Sequence, residues 1–287
     1  MEEELFCLNE VMLDLNTKLS SNYQFDVQLS HGGLTQVYVL FEKGRGKAIL
    51  KVGENATQLI GERNDLQLLK DNGYLFVPEV MCAQSNYTVF EYISNTSSPV
   101  NWTKFGESLA KMHYTSTEAK FGNNYDNYLG DTLQVNDWCN DWGEFFWQQR
   151  IKALLIKISK KNPTENLSSF FNAKNRIIDA LSAANETPSF IHGDLWSGNY
   201  IASGDETYLI DPAGYYAHRE MEFGMITLFG AFDSLFFDAY QSVYPFLPRH
   251  EKRIKIYQLY HLLNHFLLFE GNYLNQAINK LEMIIKY

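Results

Sequence analysis

Ser189-Phe190-Ile191-His192-Gly193-Asp194-Leu195-Trp196-Ser197-Gly198-Asn199 is the stretch on which the reading of this chain turns. Its first three residues are short and apolar enough for a buried strand. A glycine-containing turn follows and presents one carboxylate, Asp194. A side-chain amide, Asn199, stands five residues on, and a second carboxylate, Asp211, twelve beyond that, closing the apolar run Tyr208-Leu209-Ile210. Four residues between Asp194 and Asn199 let the loop fold back so that both side chains address one small volume. A strand ending at Ile210 can deliver Asp211 beside them. A carboxylate to take a hydroxyl proton, with an amide and a carboxylate suited to a hard cation on phosphates, is a donor set for phosphoryl transfer.

Composition sets the frame for that reading. A chain of 287 residues can bury a substantial core, as one large domain or two lobes. Its 45% hydrophobic and 20% charged content excludes a disordered polymer. A net charge of −10 argues against a nucleic-acid partner, which needs a basic patch to displace counterions. Cys7, Cys82 and Cys139 are too few and scattered for a disulfide framework or a zinc knuckle, which suggests a reducing compartment. The acidic start Met1-Glu2-Glu3-Glu4 is unlike a secretory leader. The longest apolar run, Gly224 to Phe237, is interrupted by Asp233, so no membrane span is expected and the setting is read as cytoplasmic. Asn55, Asn86 and Asn101 open glycosylation sequons that, without an export signal, are chance.

Upstream of the central stretch, Leu5, Leu8, Met12, Leu15 and Leu19 recur at helical spacing over residues 3–19. Tyr23, Phe25, Val27 and Leu29 alternate as a strand, and 36–41 forms a second across the turn His31-Gly32-Gly33-Leu34-Thr35. Gly32 and Gly33 could lay backbone N–H groups over phosphates, or be an ordinary turn, because the full Gly-x-Gly-x-x-Gly pattern is absent. In the next strand, Ala48 to Val52, Ile49 and Lys51 share one face. A lysine in an apolar strand is costly unless its ammonium group reaches an anion, either nucleotide phosphates or Glu62. Glu62 lies on the apolar stripe Leu59, Leu66, Leu69 of a helix predicted over 57–72 and closed by Gly73. A strand follows Val77 to Val80 and another covers 86–93, with Glu91 to Ile93 as a hinge whose backbone suits an adenine edge.

The polar stretch 94–99 marks a boundary between residues 1–93, rich in strands, and 94–287, rich in helical patterns. Helices are expected along Trp102, Phe105, Leu109 and Met112, from about Asp137 to Lys160, from Glu165 to Ala184, and after Tyr216 to the end. Residues 114–135 show no period. Tyr257 to Phe269 is apolar nearly all round, as in a buried helix. His261 and His265 stand four apart on it, but Leu262 occupies the place of a zincin base, so two packed histidines are expected rather than a metal pair.

The stretch Phe190 to Asn199 resembles that of the fructosamine (ketosamine) kinases, a branch of the aminoglycoside-phosphotransferase and protein-kinase-like superfamily. Gln134 to Trp138, Gln149-Arg150-Ile151, Asp211-Pro212-Ala213, Tyr216 to Glu220 and Glu251 to His265 are similar to that family too. The resemblance implies an α+β, protein-kinase-like two-lobe fold, with a small antiparallel-sheet N-lobe holding one inward helix and a mainly helical C-lobe. It implies ATP-dependent phosphorylation of the 3-hydroxyl of a ketosamine, free or on a glycated protein amine, and hence deglycation. Asp194 would be the base, Asn199 and Asp211 the Mg2+ ligands. Lys51 would hold phosphates with Glu62 behind it; Gly32, Gly33, Ile49, Glu91 and Ile93 would complete the nucleotide site. Trp196, Asp137 and His218 would meet the acceptor.

Gly193 stands where protein kinases carry an Arg, and Pro212 where they carry Phe, so no activation-segment phosphorylation is expected. An aminoglycoside- or choline-type kinase is the alternative enzyme, a nucleotide-binding pseudokinase the alternative without catalysis. Oligomeric state is left open.

Overall fold

A computed structural model of the chain describes residues 2–29, 34–96, 99–230 and 232–286. Gly32 and Gly33 lie outside the described residues. The first part of the chain is a sheet with two helices. Helix α1 (Glu2–Leu19) buries Val11 and Leu15 against Tyr23, Tyr38, Leu40 and Leu50. Strands β1 (Gln24–Gln28), β2 (Thr35–Glu42), β3 (Gly46–Gly53), β4 (Val80–Ala83) and β5 (Tyr87–Glu91) make one antiparallel sheet in the order β1-β2-β3-β5-β4. Register sets Lys51 opposite Val37 on β2 and Thr88 on β5.

Helix α2 (Ala56–Asp71) crosses between β3 and β4 in sequence. Asn55 caps it by accepting from the N–H groups of Thr57 and Gln58, and its buried stripe holds Leu59, Leu66 and Leu69 as predicted.

The remainder is mainly helical: α3 (Trp102–Thr115), α4 (Trp142–Phe145), α5 (Ala153–Lys161), α6 (Ser168–Asn172), α7 (Lys174–Ser182), α8 (Glu220–Ile226), α9 (Ser234–Val243), α10 (His250–Phe269) and α11 (Tyr273–Lys286). Short hairpins punctuate it: β6 (Asn127–Leu129) with β7 (Thr132–Gln134), and β9 (Tyr200–Ser203) with β10 (Glu206–Leu209). Strand β8 (Ser189–Ile191) pairs with β11 (Tyr215–Ala217). No helix among the described residues is long and apolar enough to cross a membrane.

Helical expectations change locally, and two stretches left without an assignment hold strands. The helix expected from Asp137 begins at Trp142, because Asp141 caps it by accepting from Glu144 N at 2.8 Å. A π-helical turn, Phe146–Lys152, joins α4 to α5 and seats the buried Arg150 4.0 Å from the Tyr215 ring. The stretch from Glu165 to Ala184 is two helices meeting at Ala173. The aperiodic stretch contains β6 and β7, and the residues after Asp211 form β11 before any helix, since strands of three residues leave too little periodicity to read.

Candidate active site

Pairing of β8 with β11 sets the frame of the loop that follows Ile191. The carboxylate of Glu222, buried on α8, accepts from His192 N at 2.6 Å and Gly193 N at 3.1 Å. His192 Nε2 donates to Ile210 O at 2.9 Å, so Nδ1 is free to accept from Asp194 N at 3.3 Å. Burial holds the His192 pKa below its ordinary value although Glu222 opposes this, in keeping with that neutral tautomer. Gly193 has φ +84°, and a Cβ there would come within 2.1 Å of Ala213 O. No side chain fits there without a shift of Ala213.

The loop then folds back. Asn199, buried, donates through Nδ2 to Asp194 O at 2.8 Å and Asp194 Oδ2 at 3.0 Å. A Cβ at Gly198 would lie 2.4 Å from the Trp196 ring, so glycine lets that half-exposed indole lie across the loop. Burial, with the negative charge of Asp211 added, pushes the Asp194 pKa up to about 7 against the pull of Asn199. Asp211 moves the opposite way. Desolvation in the cleft raises it, but Lys51 outweighs that and holds the partly exposed carboxyl below its ordinary value. Asp211 also adopts φ +56°, a conformation that Asp tolerates better than most residues.

From the other end of the chain, Lys51 Nζ reaches Glu62 Oε1 at 2.6 Å and pairs with Asp211 Oδ1. Desolvation lowers the Lys51 pKa, but the charges of Asp211 and Glu62 more than reverse this and keep the ammonium charged.

Two cavities meet at this lysine. One, of about 480 Å³, is mostly apolar and is lined by Ile49, Phe90, Glu91, Ile93, Ile201 and Ile210 among others. The second, of about 330 Å³, mixes polar and apolar surface evenly and takes in the charged and polar groups of Asp194, Asn199, Gln58 and Asp131 with Trp196 and Tyr128; it is the more polar of the two. Val37, Lys51, Glu62 and Asp211 border both.

Two expected acceptor contacts are not brought to either cavity. Asp137 is exposed three residues beyond β7, its carbonyl accepting from Gln149 Nε2 at 2.7 Å. His218 is sealed in the helical core, with Nδ1 3.1 Å from the Tyr257 hydroxyl and Nε2 3.4 Å from Glu186. Burial, then Arg253 and Arg219, drive its pKa down to about 3. His265 Nδ1 likewise turns to its own helix, 2.8 Å from His261 O. Sequence reasoning missed Glu222, Asp65, Asn127 and Asp131. Asp131 Oδ1 accepts from Leu34 N at 3.0 Å and so joins the β6–β7 turn to the start of β2. No local pattern marks these residues: the bonds of Glu222 to Gly193, Asp131 to Leu34, and Asp65 to Asn127 and Gly214 span 29 to 149 positions.

A family profile described as fructosamine kinase matches residues 10–287. A probable ketoamine kinase of Vibrio parahaemolyticus is 35% identical over 286 residues, covering 95% of this chain and 97% of its own. The crystal structure of a "putative fructosamine-3-kinase" from Thermobifida fusca, 25% identical, superposes with a TM-score of 0.86 over 97% of this chain and 99% of that one. An aminoglycoside phosphotransferase in ternary complex with ADP and hygromycin B shares the fold, with a TM-score of 0.65 at 15% identity over 96% of this chain and 98% of its own. With nearly its whole length matched by the family profile and by a relative of this similarity, the chain belongs to the fructosamine kinase family.

Proposed function

We propose that this chain transfers the γ-phosphoryl group of ATP to the 3-hydroxyl of a ketosamine, with residues 1–93 as the nucleotide lobe and 94–287 as the catalytic lobe. One observation carries the reading. Lys51 and Glu62 from the first quarter of the chain meet Asp211, beside the Asp194–Asn199 pair, where an apolar cavity opens into a polar one. Adenine fits the apolar cavity, its edge against the backbone of Glu91 to Ile93, and the triphosphate then runs past Lys51.

Asn199 spends its amide nitrogen on Asp194, which leaves Oδ1 for a cation, and Asp211 presents a side chain 46% exposed. Among the described residues no cluster of three or more His, Cys, Asp or Glu could hold a metal unaided. Such a sparse set suits Mg2+, which completes its shell with phosphates and water. Asn199 and Asp211 would hold it, and when bound it neutralises charge on the phosphates.

Asp194, its basicity raised by burial, takes the proton of the acceptor hydroxyl. That oxygen bonds to the γ-phosphorus as the bond to the β–γ bridging oxygen breaks, and ADP leaves. Lys51 keeps the phosphates in line and stabilises the departing charge. Trp196 gives the cationic amine of the acceptor a face, worth about 1 kcal/mol. The use of ATP fits a cytoplasmic setting.

The test is a panel of acceptors with ATP, read by ADP release: a free fructosamine, a free ribulosamine, a ribulosamine-bearing protein and an aminoglycoside. Turnover on a ketosamine with none on the aminoglycoside supports the reading. The reverse order replaces it with an aminoglycoside-type kinase, and no turnover on any acceptor despite nucleotide binding replaces it with a pseudokinase.

A further inference from the structure

Asp65 is a buried carboxylate that the chemistry above does not use. It lies on α2 three residues after Glu62, fully inaccessible to solvent. All three of its hydrogen bonds come from the catalytic half of the chain. Tyr125 Oη donates to Oδ1 at 2.8 Å, while Asn127 Nδ2 and Gly214 N both donate to Oδ2 at 2.8 Å. Asn127 Nδ2 also reaches Gly214 O at 2.7 Å, so Gly214 is held by both its N–H and its carbonyl. Gln134 Nε2 extends the grip to Ala213 O at 3.2 Å and Asn127 Oδ1 at 2.9 Å. The helix comes very close here: a Cβ on Gly61 would lie 3.1 Å from Asn127 Cβ.

A carboxylate buried among neutral donors is expensive, and it is retained where it fixes an arrangement. One turn of α2 therefore carries two attachments. Glu62 holds Lys51 in the sheet, and Asp65 holds the backbone that follows Asp211. An outward swing of α2 would break both together. We infer that Asp65 is a positioning residue that locks α2 to the Ala213–Gly214 segment, so that Lys51, Glu62 and Asp211 stand assembled in the chain as synthesised, without a phosphorylated activation segment. The inference rests on the roles given above to those three residues.

The test compares Asp65→Ala, Asp65→Asn and Tyr125→Phe in the full chain, with turnover counted per nucleotide-binding molecule and nucleotide affinity measured separately. Misplacement by about an ångström costs on the order of 100-fold, so Asp65→Ala loses turnover on that scale while ATP binding, set by the apolar cavity, changes by less than about threefold. Asp65→Asn restores turnover to within about threefold, because its amide oxygen can accept from Asn127 and Gly214 while its nitrogen faces a Tyr125 hydroxyl able to accept. Tyr125→Phe loses one bond in three and falls by about fivefold. Unchanged turnover per binding site in Asp65→Ala, even with a lowered Tm, overturns the inference. If Asp65→Ala does not fold, unchanged turnover in Tyr125→Phe overturns it instead. Asp194→Asn is the control: full activity there removes the site assignment itself, whatever the Asp65 variants do. Mass spectrometry of the active protein completes the test, and stoichiometric phosphate required for turnover would overturn the lock.

Discussion

The two cavities flanking Lys51 share four residues and otherwise differ, one mostly apolar and the other carrying the charged groups. The apolar one takes Ile49 and Phe90, paired across β3 and β5, together with Ile201 of β9 and Ile210 just past β10 from the catalytic half. In the polar one a few charges set each other's state. Asp194 and Asp211 are the same residue type a short distance apart, yet one is pushed up to about 7 and the other held low, because only Asp211 touches Lys51. Changes in the apolar cavity should therefore act on nucleotide affinity, and changes in the polar cleft on the rate of transfer.

The largest effect is expected at the base. Asp194→Asn should lower kcat by about 1,000-fold, with the nucleotide Kd from titration calorimetry nearly unaltered. An equal loss in Kd would break the division between the cavities at once. Lys51→Met removes the charge that borders both and should lower kcat by roughly 100-fold. Adding Glu62→Gln should cost little more, since the two side chains act as one unit.

On the apolar side, Ile49→Ala should weaken ATP binding by about tenfold while leaving kcat close to wild type, as expected from lost apolar contact. Trp196→Ala should raise the KM of a cationic ketosamine by about fivefold and leave the KM for ATP unchanged, which would place the acceptor on the polar side.

Asp65 offers the smallest and most delicate test. Burial holds its carboxyl up at about 7 against the pull of Tyr125, Asn127 and Gly214, whereas 3.8 is the ordinary value. Between those values the folded chain keeps a proton that the unfolded chain has released, so wild-type stability falls as pH rises through the window. Asp65→Asn lacks this slope. The Tm of Asp65→Asn minus that of wild type should be a few degrees more positive at about pH 8 than at about pH 5. A difference that does not change with pH would mean that Asp65 is ionised throughout.

Much of the site was legible because its signals are local. Strand parity set Ile49 and Lys51 on one face, and helical spacing set Glu62 on the inward stripe of α2, where it meets Lys51. The five-residue step from Asp194 to Asn199 was enough to anticipate the folded-back loop. His218 and Asp137 rested on the family resemblance rather than on spacing, and neither lines either cavity, because a motif quoted in sequence order does not say which of its members face the cleft. Strand β11 lay in a stretch left without an assignment, since three paired residues carry no usable period.

Residue order and periodicity by themselves determined a strand-rich first third, a helical remainder and a donor set at Asp194, Asn199 and Asp211 suited to phosphates, because each depends on neighbours within a turn or a strand; the two-lobe fold class came with the family resemblance. Which carboxylates are buried, and what they hold there, was decided only by tertiary structure. Glu222 clamping His192 and Gly193, Asp65 gripping Gly214, and the closeness of Ala213 O that leaves room only for glycine at 193 all join residues far apart in the chain. Contacts of that kind exist only once the sheet and the helices have packed.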